Sequence, residues 1–160
     1  MNLDLADEAA TRRFARHLAE ALPAGFIYLA LQGDLGAGKT TLVRYLLRAL
    51  GVDGLIRSPT YTLLEDYQAA GRHLIHMDLY RLGDAQELDY LGVREWLGSD
   101  VVLLVEWAER AGKALPVPDL CLSLSITGVR SRGLSVSAGT AQGQSCLAVL
   151  AQKSVVQSLD

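Results

Sequence analysis

Gly33-Asp34-Leu35-Gly36-Ala37-Gly38-Lys39-Thr40-Thr41 fits the pattern G-x-x-x-x-G-K-[ST] of a loop that cradles phosphate, and its flanks are of the kind such a loop requires. Ahead of it runs Phe26-Ile27-Tyr28-Leu29-Ala30-Leu31, an unbroken β-prone run of the sort buried on both faces of a parallel sheet. Behind it Leu42, Val43, Leu46, Leu47 and Leu50 recur at helical spacing, and Gly51 supplies the stop. Strand, glycine loop and helix in that order predict a nucleotide site at the end of a sheet.

Each residue type has a chemical reason. A polyphosphate needs many donors at short range, and Gly33, Gly36 and Gly38 let the backbone curl with its N–H groups inward and no Cβ in the way. The helix starting near Gly38 adds the positive end of its dipole. Lys39 supplies a mobile, exposed cation for the β and γ phosphates, and the Thr40 hydroxyl is placed to ligate Mg²⁺, while Thr41 reads as a first-turn helix residue.

Half of the 160 residues are apolar, enough for one well-buried core and too few residues for two ordinary domains. The expected architecture is a single α/β domain over residues 1–150, a mixed sheet with flanking helices and a C-terminal β-hairpin, followed by a loose tail over 151–160. A net charge of −3 argues against a protein that grips nucleic acid through its phosphates, so any nucleic-acid role is expected to be indirect. Cys121 and Cys146 have no metal spacing and read as small core residues. Neither a signal peptide nor an apolar run of membrane-spanning length is present, which points to the cytoplasm and to no membrane partner.

Taken in order, Asp7 or Glu8 opens an amphipathic helix through Phe14, Leu18 and Leu22 that ends at Pro23-Ala24-Gly25. After the phosphate loop and its helix, Ser58-Pro59-Thr60-Tyr61-Thr62 reads as loop running into strand, with Pro59 fixing the chain so that the hydroxyls of Thr60 and Thr62 emerge at the strand entrance. A γ-phosphate-sensing loop could use either. Ala69-Ala70-Gly71-Arg72 turns the chain, and His73 to Tyr80 returns as the second strand of an antiparallel hairpin. Asp78 lies inside that apolar strand, where a carboxylate is costly unless a metal, cation or donor meets it. His73 and His76 read as ordinary strand histidines, since no metal-ligand partner motif accompanies them.

Asp84 and Glu87 are spaced as a capping box, and Val93, Trp96 and Leu97 suggest another brief helical segment. Val101-Val102-Leu103-Leu104-Val105-Glu106 then has the form of a strand that delivers an acid, Glu106, to Mg²⁺ at the sheet's carboxyl edge. Past Pro118, Leu120 to Thr127 and Leu134 to Ala138 alternate as the arms of a hairpin whose turn holds Gly128, Arg130, Arg132 and Gly133, and a short helix through Cys146 and Leu150 follows.

The phosphate loop, Ser58-Pro59-Thr60-Tyr61-Thr62-Leu63, His76-Met77-Asp78-Leu79-Tyr80-Arg81-Leu82 and Leu104-Val105-Glu106-Trp107 together resemble the TsaE (YjeE) family, small bacterial ATPases required for threonylcarbamoyladenosine modification of tRNA. The resemblance runs from about Asp7 to Ala138 and does not extend to the stretch that follows. It implies ATP and Mg²⁺ as ligands and the TsaB and TsaD proteins as partners, with tRNA reached through their complex. Under it Lys39 holds phosphate, Thr40 and Glu106 coordinate Mg²⁺, Asp78 is the hydrolysis-related acid, and Trp107 lies close to the nucleotide. Thr11 and Arg132 would flank the adenine.

Three other functions share the loop: a small-molecule kinase, a guanine-nucleotide switch and an ATP-dependent binding module. A kinase needs an acceptor pocket and an arginine-bearing lid, for which only Arg130 and Arg132 offer themselves. The Asn-Lys-x-Asp guanine reader needs an asparagine, and the only one is Asn2. A binding module would hold nucleotide without steady turnover.

Overall fold

The computed structural model describes residues 1–96 and 100–156. The apolar run ahead of the phosphate loop forms β2 (Ile27–Gln32), the middle strand of a seven-stranded mixed sheet. Around it lie β1 (Asn2–Leu5), β3 (Leu64–Ala69), β4 (Arg72–Asp78), β5 (Val101–Glu106), β6 (Leu120–Ile126) and β7 (Arg132–Ala138), in the order β1-β7-β6-β2-β5-β4-β3. The inner strands β6, β2, β5 and β4 run parallel, and antiparallel partners close both edges. Because the strands flanking β2 come later in the chain, the loop after β2 opens at a crevice where the connections diverge, the usual ligand position in such sheets.

Strand alternation builds two apolar layers. Leu29, Leu31, Val102, Leu104 and Leu122 face α1 (Glu8–Ala21), α2 (Lys39–Ala49) and the C-terminal helix. Tyr28, Ala30, Ile75, Met77, Leu103 and Val105 face the opposite side. There they meet α3 (Glu87–Tyr90), α4 (Val93–Trp96) and a 3₁₀ turn over Ala108–Ala111. Of the two acids offered for the start of α1, Asp7 is the cap, its Oδ1 accepting from the Ala10 N–H at 2.7 Å. The hairpin between β3 and β4 turns through Ala70 (φ 51°) and Gly71 (φ 78°), the paired left-handed residues that match the strands' own twist.

Four details differ from the sequence reading. Pro59 to Thr62 is turn throughout and the strand begins only at Leu64, because Leu63, at φ 64°, reverses the backbone between them. Arg132 and Gly133 lie in β7, paired with Ile126 and Ser125, so the hairpin turn is shorter than expected. That hairpin is part of the main sheet, with β6 on β2 and β7 on β1, a strand the sequence reading lacked. The final helix α5 runs Ala141–Val156, past the boundary drawn at residue 150. Residues 157–160 of the expected tail, and Leu97 of the expected helical segment, lie outside the described residues.

The buried Asp119 explains why the C-terminal elements stay on the sheet. Its Oδ2 accepts from the Tyr28 N–H at 2.8 Å, and its Oδ1 accepts from the Thr140 hydroxyl just ahead of α5. Cys146 anchors the same helix to α1 through a contact with Ala21 O at 3.3 Å, and burial pushes its thiol up to about 11. Cys121 is only half-buried, which corrects its reading as a core residue; partial burial still raises its thiol.

Candidate functional site

At the carboxyl end of β2 the chain enters the glycine loop through Gly33, whose φ is 133° and whose added Cβ would stand 2.3 Å from Leu124 O. Only glycine fits there. Gly36 and Gly38 also take positive φ, and α2 begins immediately, so the loop leads straight into helix N-terminal N–H groups. Asp34 and Leu35 are exposed on the outer turn, and Ala37 is buried beneath it.

The pleat of two neighbouring strands brings the acids in. Asp78 ends β4 and Glu106 ends β5 as register partners, on the same face as Leu74 and Leu104, which is the face α2 covers. The first turn of α2 thereby meets Glu106: the Thr40 hydroxyl donates to both carboxylate oxygens, at 2.8 and 2.9 Å. A hydroxyl and a carboxylate converging beside a phosphate loop are hard oxygen donors of the kind that would hold Mg²⁺. Among the described residues no group of three His, Cys, Asp or Glu could hold a metal by itself. Thr40 and Glu106 therefore fit the group expected of them.

Lys39 is not the exposed, mobile cation of the sequence reading. It is only 5 % exposed, its ammonium donates to Gly33 O at 2.6 Å and Asp34 O at 3.0 Å, and it sits 4.2 Å from the centroid of the Trp107 ring. Trp107 reaches that position because its own backbone is left-handed, φ 58°, a conformation that costs a non-glycine residue about 1–2 kcal/mol. The Tyr80 ring supports it at 5.1 Å. Phosphate would take over the lysine's two carbonyl contacts, so the ring above it must sense the exchange. Nucleotide is expected to change Trp107 emission and to leave that of Trp96, on α4, unchanged. Trp107→Phe should abolish the response; a response that survives in Trp107→Phe and disappears in Trp96→Phe would contradict this placement.

The switch-like loop is tied to the acid. Thr60 Oγ1 donates to Asp78 Oδ2 at 3.1 Å and meets Ser58 Oγ at 2.8 Å, while Asp78 Oδ1 accepts from the Tyr80 N–H at 3.0 Å. Thr62 points elsewhere, to Glu65 at 3.0 Å. Lys39, Thr40, Thr60, Asp78, Glu106 and Trp107 line one cleft of about 290 Å³ on the phosphate side. Thr11 and Arg132 line a second, of about 430 Å³, that shares Gly38 and Thr41 with the first. The Thr11 hydroxyl bonds back to Asp7 O at 3.3 Å.

Three features escaped the sequence reading. His76 is no ordinary strand histidine: it is buried and its Nε2 lies 2.8 Å from Glu106 Oε1, whereas His73 is exposed beside Asp66. Arg132 does more than line the second cleft, because its guanidinium donates to Ala37 O at 3.1 Å and Gly36 O at 3.4 Å and so staples the phosphate loop to β7. Arg81 lines the phosphate-side cleft, 4.4 Å from the Tyr61 ring centroid. The signal for the first was available in the alternation of β4, which gives His76 and Asp78 the same face.

A glycine loop between a central parallel strand and its helix, with a hydroxyl and an acid converging beside it, defines a phosphate-loop nucleotide-binding protein. The chain belongs to the TsaE family, whose model, described as threonylcarbamoyl adenosine biosynthesis protein TsaE, matches residues 5–134; the family acts in tRNA threonylcarbamoyladenosine biosynthesis. The tRNA threonylcarbamoyladenosine biosynthesis protein TsaE of Haemophilus influenzae is 43 % identical over 122 residues, covering 74 % of this chain and 77 % of the relative. That of Synechocystis is 47 % identical over 114 residues, covering 69 % and 71 %. The crystal structure of YdiB from Bacillus subtilis superposes with a TM-score of 0.80 at 27 % identity, over 96 % of this chain and 95 % of YdiB. Among the described residues no helix is long and apolar enough to cross a membrane.

Proposed function

We propose that this chain binds ATP with Mg²⁺, hydrolyses it slowly alone, and uses the cycle to reset a TsaB–TsaD complex between rounds of tRNA modification in the cytoplasm. The observation that carries the reading is the Thr40–Glu106 pair standing beside the phosphate loop while Asp78 holds Thr60 across the same cleft. Lys39 and the loop N–H groups bind the β and γ phosphates, and Thr40 and Glu106 hold Mg²⁺. When bound, the ion neutralises charge developing on the phosphate oxygens. Asp78 holds Thr60 and the loop around it and, as a charged acid near the γ-phosphate, takes part in hydrolysis, and Thr11 and Arg132 flank the nucleoside in the second cleft. The loop from Ser58 to Thr62 is the element a partner would order, since phosphate-loop enzymes commonly gain their fast step when such a segment closes.

Phosphate release measured with and without TsaB–TsaD tests this. The expected result is slow release alone, a rise on adding the complex, and loss of that rise in Thr60→Ala. Fast release indifferent to partners would contradict the cycling role. Transfer of phosphate to a metabolite would establish a kinase instead.

A further inference from the structure

His76 touches Glu106 without lining the cleft, and it does so in an unusual way. It is 1 % exposed, Nε2 lies 2.8 Å from Glu106 Oε1, and Nδ1 is a buried nitrogen with no partner among the described residues. An ionised carboxylate can only accept, so the Nε2 atom carries a proton and Nδ1 is left unpaired. A buried polar atom without a partner costs roughly 1–3 kcal/mol, which a leucine at this apolar strand position would avoid. The contact with Glu106 is what the ring offers in return. Glu106 itself is 2 % exposed and receives two donors on Oε1, from His76 and from Thr40, with Thr40 also reaching Oε2.

We propose that His76 is a positioning residue for the metal. Its Nε2–H fixes the Glu106 carboxylate in the orientation that turns both oxygens toward the Thr40 hydroxyl, and so sets the Mg²⁺ affinity of the nucleotide complex without touching nucleotide or ion. This rests on the reading that Thr40 and Glu106 hold Mg²⁺. Hydrogen-bond partners of ligating groups typically change metal affinity by about 10–100-fold when removed.

The test is the Mg²⁺ dependence of ATP affinity, followed by titration calorimetry in wild type, His76→Leu, His76→Gln and Glu106→Gln. Leucine keeps the volume and removes the donor, whereas glutamine can place an amide N–H near the Nε2 position. The Mg²⁺ midpoint should rise about tenfold or more in His76→Leu and return to within a few-fold of wild type in His76→Gln, with ATP affinity in EDTA the same in all three. A shifted Glu106→Gln beside an unshifted His76→Leu overturns the positioning role alone. Equal impairment of His76→Gln and His76→Leu does so too, by assigning the effect to ring packing. An unshifted Glu106→Gln overturns the metal reading and this inference with it. Nitrogen NMR of the unaltered protein decides independently of any variant's folding: an Nε2-protonated tautomer is expected, and an Nδ1-protonated one overturns the proposal.

Discussion

Alanine at Lys39 is expected to weaken ATP binding by about a hundredfold or more while leaving the melting temperature within a few degrees of wild type. The ammonium's present partners are two loop carbonyls and the face of Trp107, none of them an anion, so its charge is uncompensated until phosphate arrives. Hydrogen bonds to charged groups contribute about 1.5–3 kcal/mol each, and two of them to phosphate oxygens already exceed the ~2.7 kcal/mol that corresponds to a hundredfold in affinity. The fold should tolerate the change, because the side chain's hydrogen bonds stay within its own loop and its contact beyond it is with the face of Trp107. Calorimetric titration of ATP together with a melting curve checks both halves; unchanged affinity would remove the loop as the phosphate site.

The second large effect is on turnover. Asp78→Asn should lower partner-stimulated phosphate release by about a hundredfold or more, with ATP affinity altered only a few-fold. Asparagine can keep both contacts, its carbonyl accepting from the Tyr80 N–H and its amide donating to the Thr60 oxygen, so the loop remains held while the charge is lost. A carboxylate that merely anchored the loop would then be replaced at little cost. Comparable rates in the two proteins would show Asp78 to be a structural tether and not part of the hydrolytic arrangement.

Much of this site is legible in the chain itself because its parts are local. Gly33 to Thr41 is continuous, and the apolar run ending in Glu106 announces both a strand and what lies at its end. What was not legible depends on neighbours distant in sequence. Asn2–Leu5 is too short to show an alternation, and it becomes a strand only because β7 offers it an edge. Arg132 and the loop it staples lie about a hundred positions apart, a pairing that only the sheet order creates. His76 could have been assigned to the Asp78 face by period, but its meeting with Glu106 requires knowing that β4 and β5 are parallel neighbours in that register. The exposure of Lys39 was misjudged for a similar reason: the left-handed turn at Trp107 that covers it has no signature in a tryptophan.

The central claim is that the loop, Thr40 and Glu106 form a single Mg²⁺-ATP site. A crystal structure with Mg²⁺ and a non-hydrolysable ATP analogue tests it most directly. The account predicts the triphosphate wrapped by Gly33 to Thr41, Lys39 moved from its carbonyls onto the β and γ phosphates, and Mg²⁺ at about 2.0–2.1 Å from the Thr40 hydroxyl with Glu106 beside it. Nucleotide bound elsewhere, or an ion held away from both Thr40 and Glu106, would contradict it.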